Sequence, residues 1–216
     1  MTENAQLQAL KRYRFLWLML ALVFCLIMTP LEDLGHFVLF TNTVLFAIVV
    51  VTAVIAATDN RAHLISAIVL AILWILGILF GSVLGQQAHI VGADLVLICL
   101  LFFVTYIVLR PVLLAKETDF NLLCGAIGVY LLIAIAWAQS YDVIERLAPG
   151  SFDIGAEAEM GWSAALYFSL TTLTTLGYGD ITPTSAGVGI WATLEALFGQ
   201  LYIAVFIARI IALFRV

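Results

Sequence analysis

Between Thr174 and Asp180 the chain reads Thr-Thr-Leu-Gly-Tyr-Gly-Asp, a run whose chemistry belongs to its backbone. Gly177 and Gly179 stand at alternate positions and can take positive φ without a Cβ clash. Successive carbonyls can then point towards one axis, the arrangement needed to hold a cation stripped of its water. Thr175, Leu176, Gly177 and Tyr178 supply the carbonyl oxygens, and the Thr175 hydroxyl adds a further ring at the inner end. One chain cannot close such rings alone; several copies about a common axis are needed. No other stretch offers a competing chemistry: there is no nucleotide-binding loop, metal-ligand cluster or catalytic triad pattern, and no enzymatic activity is expected. Cys25, Cys99 and Cys124 are odd in number and lie in apolar runs, which suits packing better than a disulfide framework. His36, His63 and His89 fall near the ends of apolar segments, where neither a metal nor a catalytic role is expected.

The elements that must position this run are set by composition. Of 216 residues, 64% are hydrophobic and 11% charged, the profile of an integral membrane protein. Apolar segments over 13–31, 36–58, 64–84, 90–109, 120–138 and 186–214 are each near the ~20 residues or more that cross a bilayer. They predict an all-α protein of six spans. The first follows Lys11, Arg12 and Arg14 as a signal peptide's apolar stretch would, but Met28-Thr29-Pro30-Leu31 is a poor cleavage sequence, so the span is expected to be retained. Residues 162–174 form a seventh apolar helix, which at ~1.5 Å per residue reaches only about halfway across and must be re-entrant. The irregular run after it is permissible at that depth because protein flanks it on one side and water or ions on the other.

Residues 162–183, WSAALYFSLTTLTTLGYGDITP, resemble the pore helix, selectivity filter and outer mouth of tetrameric potassium channels, whose filter motif is TVGYG. Leu176 departs from the usual Val or Ile, mildly, because that position lends its carbonyl to the pore. The resemblance implies a homotetrameric K+ channel whose ion-binding filter is Thr175, Leu176, Gly177, Tyr178 and Gly179, with K+ held at the first four. In some related channels an acidic residue occupies the place of Thr171 and pairs with the filter aspartate, here Asp180; its absence puts the family's slow filter inactivation in doubt. The family also implies a bend near the middle of the inner helix, where Gly199 stands at a matching distance. The expected alternatives are a less selective monovalent cation channel and a non-conducting regulatory or assembly subunit. A transporter subunit with channel-like pore loops is a further rival, although such chains generally carry four pore units and this one carries one.

Side chains around the filter divide by role. Thr171 and Thr172 brace it from behind, although a helical threonine also bonds its own i−4 carbonyl. The pore helix ends at Thr174 with unpaired carbonyls facing the membrane centre, where four negative dipole ends favour a cation. At 3.6 residues per turn, Gln200, Ile203, Ile207 and Ile211 share a face assigned to the cavity and inner gate. Glu195 is the acidic residue of the last span, off that face, and is expected to meet the pore helix near Thr172 as filter support. Asp142, Glu145, Asp153, Glu157 and Glu159 precede the pore helix as an acidic rim or a solvated loop.

The domain plan is a cytoplasmic N-terminus over 1–12, a four-helix peripheral domain over 13–109, a linker over 110–119 and a pore domain over 120–216, comprising an outer helix 120–138, pore helix 162–174, filter 175–180 and inner helix 186–214. Lys11, Arg12, Arg14, Arg61, Arg110, Lys116, Arg209 and Arg215 fall on one side or its border and Arg146 on the other, placing both termini in the cytoplasm. Gly77, Gly81 and Gly85 recur every fourth residue and suit close helix packing. Thr41, Asn42 and Thr43 suit interhelical hydrogen bonds. The fourth span lacks Lys and Arg until Arg110, so no voltage sensing is expected, and Glu117 or Asp119 is expected to meet Arg209. With the sequence ending just past the inner helix, no cytoplasmic ligand-binding domain is expected. K+, membrane lipids and sister copies are the expected partners, nucleic acid is not, and a bacterial inner membrane is the expected location.

Overall fold

The structure, a computed structural model, describes residues 13–29, 47, 61–84, 87–117, 119–155 and 160–214, without the side chains of 81–84, 87–91 and 210–214. Among the described residues, six helices and two very short strands follow in order: α1 Arg14–Met28, α2 Arg61–Leu84, α3 Gln87–Leu114, α4 Phe120–Leu147, β1 Phe152–Asp153, α5 Trp162–Leu173, β2 Thr182–Pro183 and α6 Ala186–Phe214. Among the described residues, four stretches are long and apolar enough to cross a membrane: Arg61–Phe80, Gly92–Leu114, Phe120–Leu147 and Ala186–Arg209. Apart from residue 47, the expected span over 36–58, with His36, Thr41, Asn42 and Thr43, lies outside the described residues, as do Gly85, Glu157 and Glu159.

The fold is built around α4, which packs against α1, α3, α5 and α6. Its start is capped by Asp119, whose carboxylate accepts the Leu122 N–H at 2.7 Å. Asn121, in the first turn, caps a different helix: its Oδ1 accepts the N–H groups of Phe15 and Leu16 at 3.1 and 3.3 Å. Two of the orphan donors at the start of α1 are thereby satisfied by a neighbour. From that anchor α1 lays Phe15, Leu18, Leu22 and Cys25 inward, a stripe at spacings of three and four that is the inner face of an amphipathic helix. Trp17, Leu20, Phe24 and Ile27 point outward.

α2 and α3 pair closely. Gly77 makes this possible, since a Cβ there would lie 2.8 Å from the Ala93 Cβ. Small residues let helix backbones approach where lipid offers no hydrophobic drive to associate. α3 then continues through Arg110 and Pro111 to Leu114, so the first half of the expected linker is helix. Burial explains the persistence: Val112 is 2% exposed and packs where Gly125 and Phe15 meet, and this packing holds the last turn together despite the proline.

The outer helix, expected to end at 138, also runs on to Leu147, with Gln139, Ser140, Tyr141, Asp142 and Val143 all buried. Polar residues that read as loop are helix because α3, α5 and α6 cover them. Beyond α4 the chain turns, and Phe152 and Asp153 pair antiparallel with Pro183 and Thr182. Thr184 reinforces this clasp through N–H to Ser151 O at 2.9 Å and hydroxyl to Gly150 O at 2.7 Å. The two segments that flank α5 and the run after it are thus tied together at one end. Beneath the clasp, the rings of Tyr141, Phe152 and Phe168 meet edge to face with centroids 4.9–5.5 Å apart, the geometry favoured by aromatic quadrupoles.

Candidate ion-conduction site

α5 is 12 residues long, about 18 Å of helix, and stops within the fold. Its last carbonyls are all occupied. Leu170 O accepts the Thr174 N–H at 3.1 Å, Thr172 O accepts Thr175 N–H at 2.9 Å, and Thr171 O accepts both Leu176 N–H at 2.8 Å and Gly177 N–H at 3.2 Å. Leu173 O is reached from α4 by the Tyr130 hydroxyl at 3.1 Å. The expectation of unpaired carbonyls here is therefore corrected: the helix end keeps its dipole, while its orphan acceptors are taken by the chain that follows and by a tyrosine.

Those same bonds orient the filter run. In a trans peptide the N–H of one residue points opposite to the carbonyl of the residue before it. With the N–H groups of Leu176 and Gly177 turned back onto Thr171 O, the Thr175 and Leu176 carbonyls point away from α5. The φ angles continue the pattern, being positive at Thr175 (58°), Gly177 (53°) and Gly179 (79°) and outside that region at Leu176 and Tyr178. Glycine makes two of these positions inexpensive. At Thr175 a left-handed backbone costs an L-residue roughly 1–2 kcal/mol, a cost offset by its N–H bond to Thr172 and by the Gln200 amide, which donates to the Thr175 hydroxyl at 3.2 Å. Nothing in a threonine's propensity announces this conformation.

On the outer side, Asp180 is held by a residue the sequence reading missed. The Tyr167 hydroxyl donates to Asp180 Oδ2 at 2.7 Å, and the Tyr167 ring lies parallel to that of Tyr178 at 6.3 Å. Thr171 does not take that place: its hydroxyl donates to Phe168 O at 3.0 Å, and its carbonyl holds the filter backbone. Thr172 contributes its carbonyl to the Thr175 N–H.

Behind the filter, α6 meets α5 at Gly199. A Cβ there would lie 2.2 Å from Leu173 O, so only glycine allows the contact, and α6 runs unbroken through it. One turn earlier on both helices, Glu195 meets Ser169. Its carboxyl is fully buried, with Oε1 2.5 Å from Ser169 Oγ and Oε2 accepting the Tyr141 hydroxyl at 2.6 Å. The expected partner Thr172 is displaced because the Gly199–Leu173 contact fixes the helix register, and stepping back one turn from Leu173 arrives at Ser169. Ile203 and Ile207 on α6 are exposed in the single chain; Ile211 continues the same helix, its side chain outside the described residues.

Charged residues lie at the two ends. Arg146 bonds Asp94 at 2.7 Å and also Asp142, joining α3 to α4. Arg209 donates to Ala115 O at 2.5 Å and not to Glu117 or Asp119, the latter being engaged as the α4 cap. Of the acidic rim, Glu145 accepts the Gly150 and Ser151 N–H groups at 2.7 and 2.9 Å, which is a turn-stabilising role. His63 sets its ring edge-on to Phe103 at 6.1 Å. Cys25 and Cys124 are buried and Cys99 is exposed, all three as free thiols.

Residues 125–216 match a family described as ion channel; this segment comprises most of α4, then α5, the filter run and α6. No solved structure matches the chain. A stretch of 91 residues, 40% of the chain, is 38% identical to the inward rectifier potassium channel Kirbac3.1 of Paramagnetospirillum magnetotacticum, and spans 28% of that relative's length.

Proposed function

We propose that four copies of this chain assemble in a membrane around the 175–180 run and conduct K+ passively and selectively. The observation that carries the proposal is the alternation of φ at Thr175, Gly177 and Gly179 together with the bonds that turn the Leu176 and Gly177 N–H groups onto Thr171. A backbone so arranged presents carbonyls on the side away from its own helix. In one chain that side is open, with Leu176 56% and Tyr178 68% exposed; fourfold repetition would surround an axis with oxygen.

Conduction then follows from exchange of ligands. A K+ ion loses water at the inner mouth, where the Thr175 hydroxyl and carbonyl begin the column, and passes to the rings from Leu176, Gly177 and Tyr178 as ions repel one another between adjacent sites. The α5 dipoles favour a cation below the column. Gln200 lines the cavity beside Thr175, with Ile203, Ile207 and Ile211 further in as a ring that closes by dewetting. Opening is assigned to bending of α6, with Gly199 as its hinge. α1 to α3 act as a scaffold. Arg61, Arg110, Lys116 and Arg209 fall on one side or its border and Arg146 on the other, an asymmetry that favours both termini in the cytoplasm; the location assigned is a bacterial inner membrane.

Reversal potentials of the purified, reconstituted chain in mixed K+ and Na+ solutions test the reading. Values near the K+ equilibrium potential are expected. Values at the nonselective potential would leave a general cation channel, and the absence of discrete single-channel currents would leave a non-conducting subunit.

A further inference from the structure

Glu195 sits where three helices meet, and the hydrogen atoms available there do not suit a carboxylate. Ser169 Oγ lies 2.5 Å from Glu195 Oε1 and 2.8 Å from the Ala134 carbonyl oxygen. Both distances are those of O–H···O hydrogen bonds, so each contact needs a proton. Ser169 has one, and the Ala134 carbonyl has none. If Glu195 were ionised, one of the two contacts would bring bare oxygens together.

A single added proton resolves the count. With hydrogen on Glu195 Oε1, Glu195 donates to Ser169 Oγ, Ser169 donates to Ala134 O, and Tyr141 donates to Glu195 Oε2 at 2.6 Å. Each proton then has one acceptor. The surroundings agree. Glu195 is 0% exposed, so its burial does not wait on assembly, and an ion buried without a countercharge is expensive. From α4 it is faced by the hydroxyl of Tyr141, whose ring is packed edge-on by Phe152 and Phe168, and Tyr130 of the same helix, also within its field, donates to Leu173 O; from α5 it is faced by Ser169. The charged residues of that half of α4 are engaged elsewhere: Asp142 and Arg146 bond each other, Arg146 also bonds Asp94, and Glu145 accepts the Gly150 and Ser151 N–H groups. Arg209 on α6 itself lies about four turns further along and donates to Ala115.

We propose that Glu195 is a neutral acid and the central donor of a relay Tyr141–Glu195–Ser169–Ala134 that fixes α4, α5 and α6 against one another one turn above the Gly199–Leu173 contact. It is a positioning residue: it reaches the filter through α5 and touches no ion. Its bearing on conduction rests on the channel reading above; its protonation does not.

Infrared spectroscopy of the reconstituted full chain at neutral pH tests the protonation directly. A carboxylic acid C=O band present in the natural protein and lost in Glu195→Gln is expected, and identical spectra in that region would overturn the proposal. Ser169→Ala supplies a second arm that keeps the acid but removes its acceptor: the band should persist and shift to higher frequency, and an unmoved band would overturn the assigned donor. In flux assays Glu195→Gln, whose amide can donate to Ser169 and accept from Tyr141, should retain K+ flux, while Glu195→Ala should lose it. Loss in both variants would overturn the neutral relay. A band with these properties in a protein that passes no ions would uphold the acid and sink the channel.

Discussion

At the scale of single residues, the positions that matter most are those where backbone meets backbone. The site of a Gly199 Cβ is 2.2 Å from a peptide oxygen, and neither that Cβ nor the carbonyl can rotate away. Gly199→Ala must therefore part α6 from the end of α5, whose Leu173 carbonyl is also held by Tyr130. Overpacking of this kind typically costs ~1–3 kcal/mol, and here the displaced group adjoins the run proposed as the filter. The expected outcome is a lowered melting temperature of the solubilised protein and loss of K+ flux. Gly92→Ala, at a position with nothing within 4 Å, should melt no lower than the natural protein. Legibility at this scale followed chemical type. Gly177 and Gly179 announce positive φ because glycine is the residue that takes it freely; Thr175 does not, since its conformation is imposed by bonds to Thr172 and Gln200. An acidic residue in an apolar span marked Glu195, but its partners depend on a helix register that no local pattern encodes.

At the scale of elements, helix ends were the hardest feature to read. The expected ends of α3 and α4 fell at the first polar or proline-containing stretch, and both helices pass through it because neighbouring elements bury those residues. The start of α1 illustrates the reverse case, an end whose cap comes from elsewhere in the chain. Asn121 is separated from Phe15 by more than a hundred residues, |i−j| = 106, and a search for a local capping residue would not find it. Removing a cap of this type costs ~0.5–2 kcal/mol. Asn121→Ala is expected to loosen α1 from α4 and to lower the melting temperature modestly, with reversal potentials unchanged. Amide exchange that quickens at Phe15 and Leu16, and not in α5, would locate the effect; a shift in ion selectivity would contradict the separation of scaffold from filter.

At the scale of the whole molecule, the question is whether α1 to α3 move. A voltage-driven element must carry charge through the field, and steep gating takes ~3–4 charges per subunit. α3 is the helix in the corresponding place, and from Gly92 to Leu109 it carries no Lys or Arg; Arg110 lies near its end. Its ionic contact is of the opposite sense, since Asp94 is bonded to Arg146 on α4 at 2.7 Å. That bond ties the helix to the part of the fold that holds the filter, and sliding α3 by a turn would break it. The opposite end is tied as well, through Arg209 on α6 and the Ala115 carbonyl just beyond α3. Both attachments join the α3 region to α4 and α6, so on the proposed channel reading movement of α1 to α3 would strain the part that conducts. Within the described residues, the charge distribution and the bonding therefore lead to the same expectation: open probability that changes little between roughly −100 and +100 mV, where each elementary charge crossing the field would contribute ~2.3 kcal/mol per 100 mV, and no gating current with the pore blocked. A steep sigmoidal conductance accompanied by measurable charge movement would refute it, whereas shallow rectification arising in the filter would leave it standing.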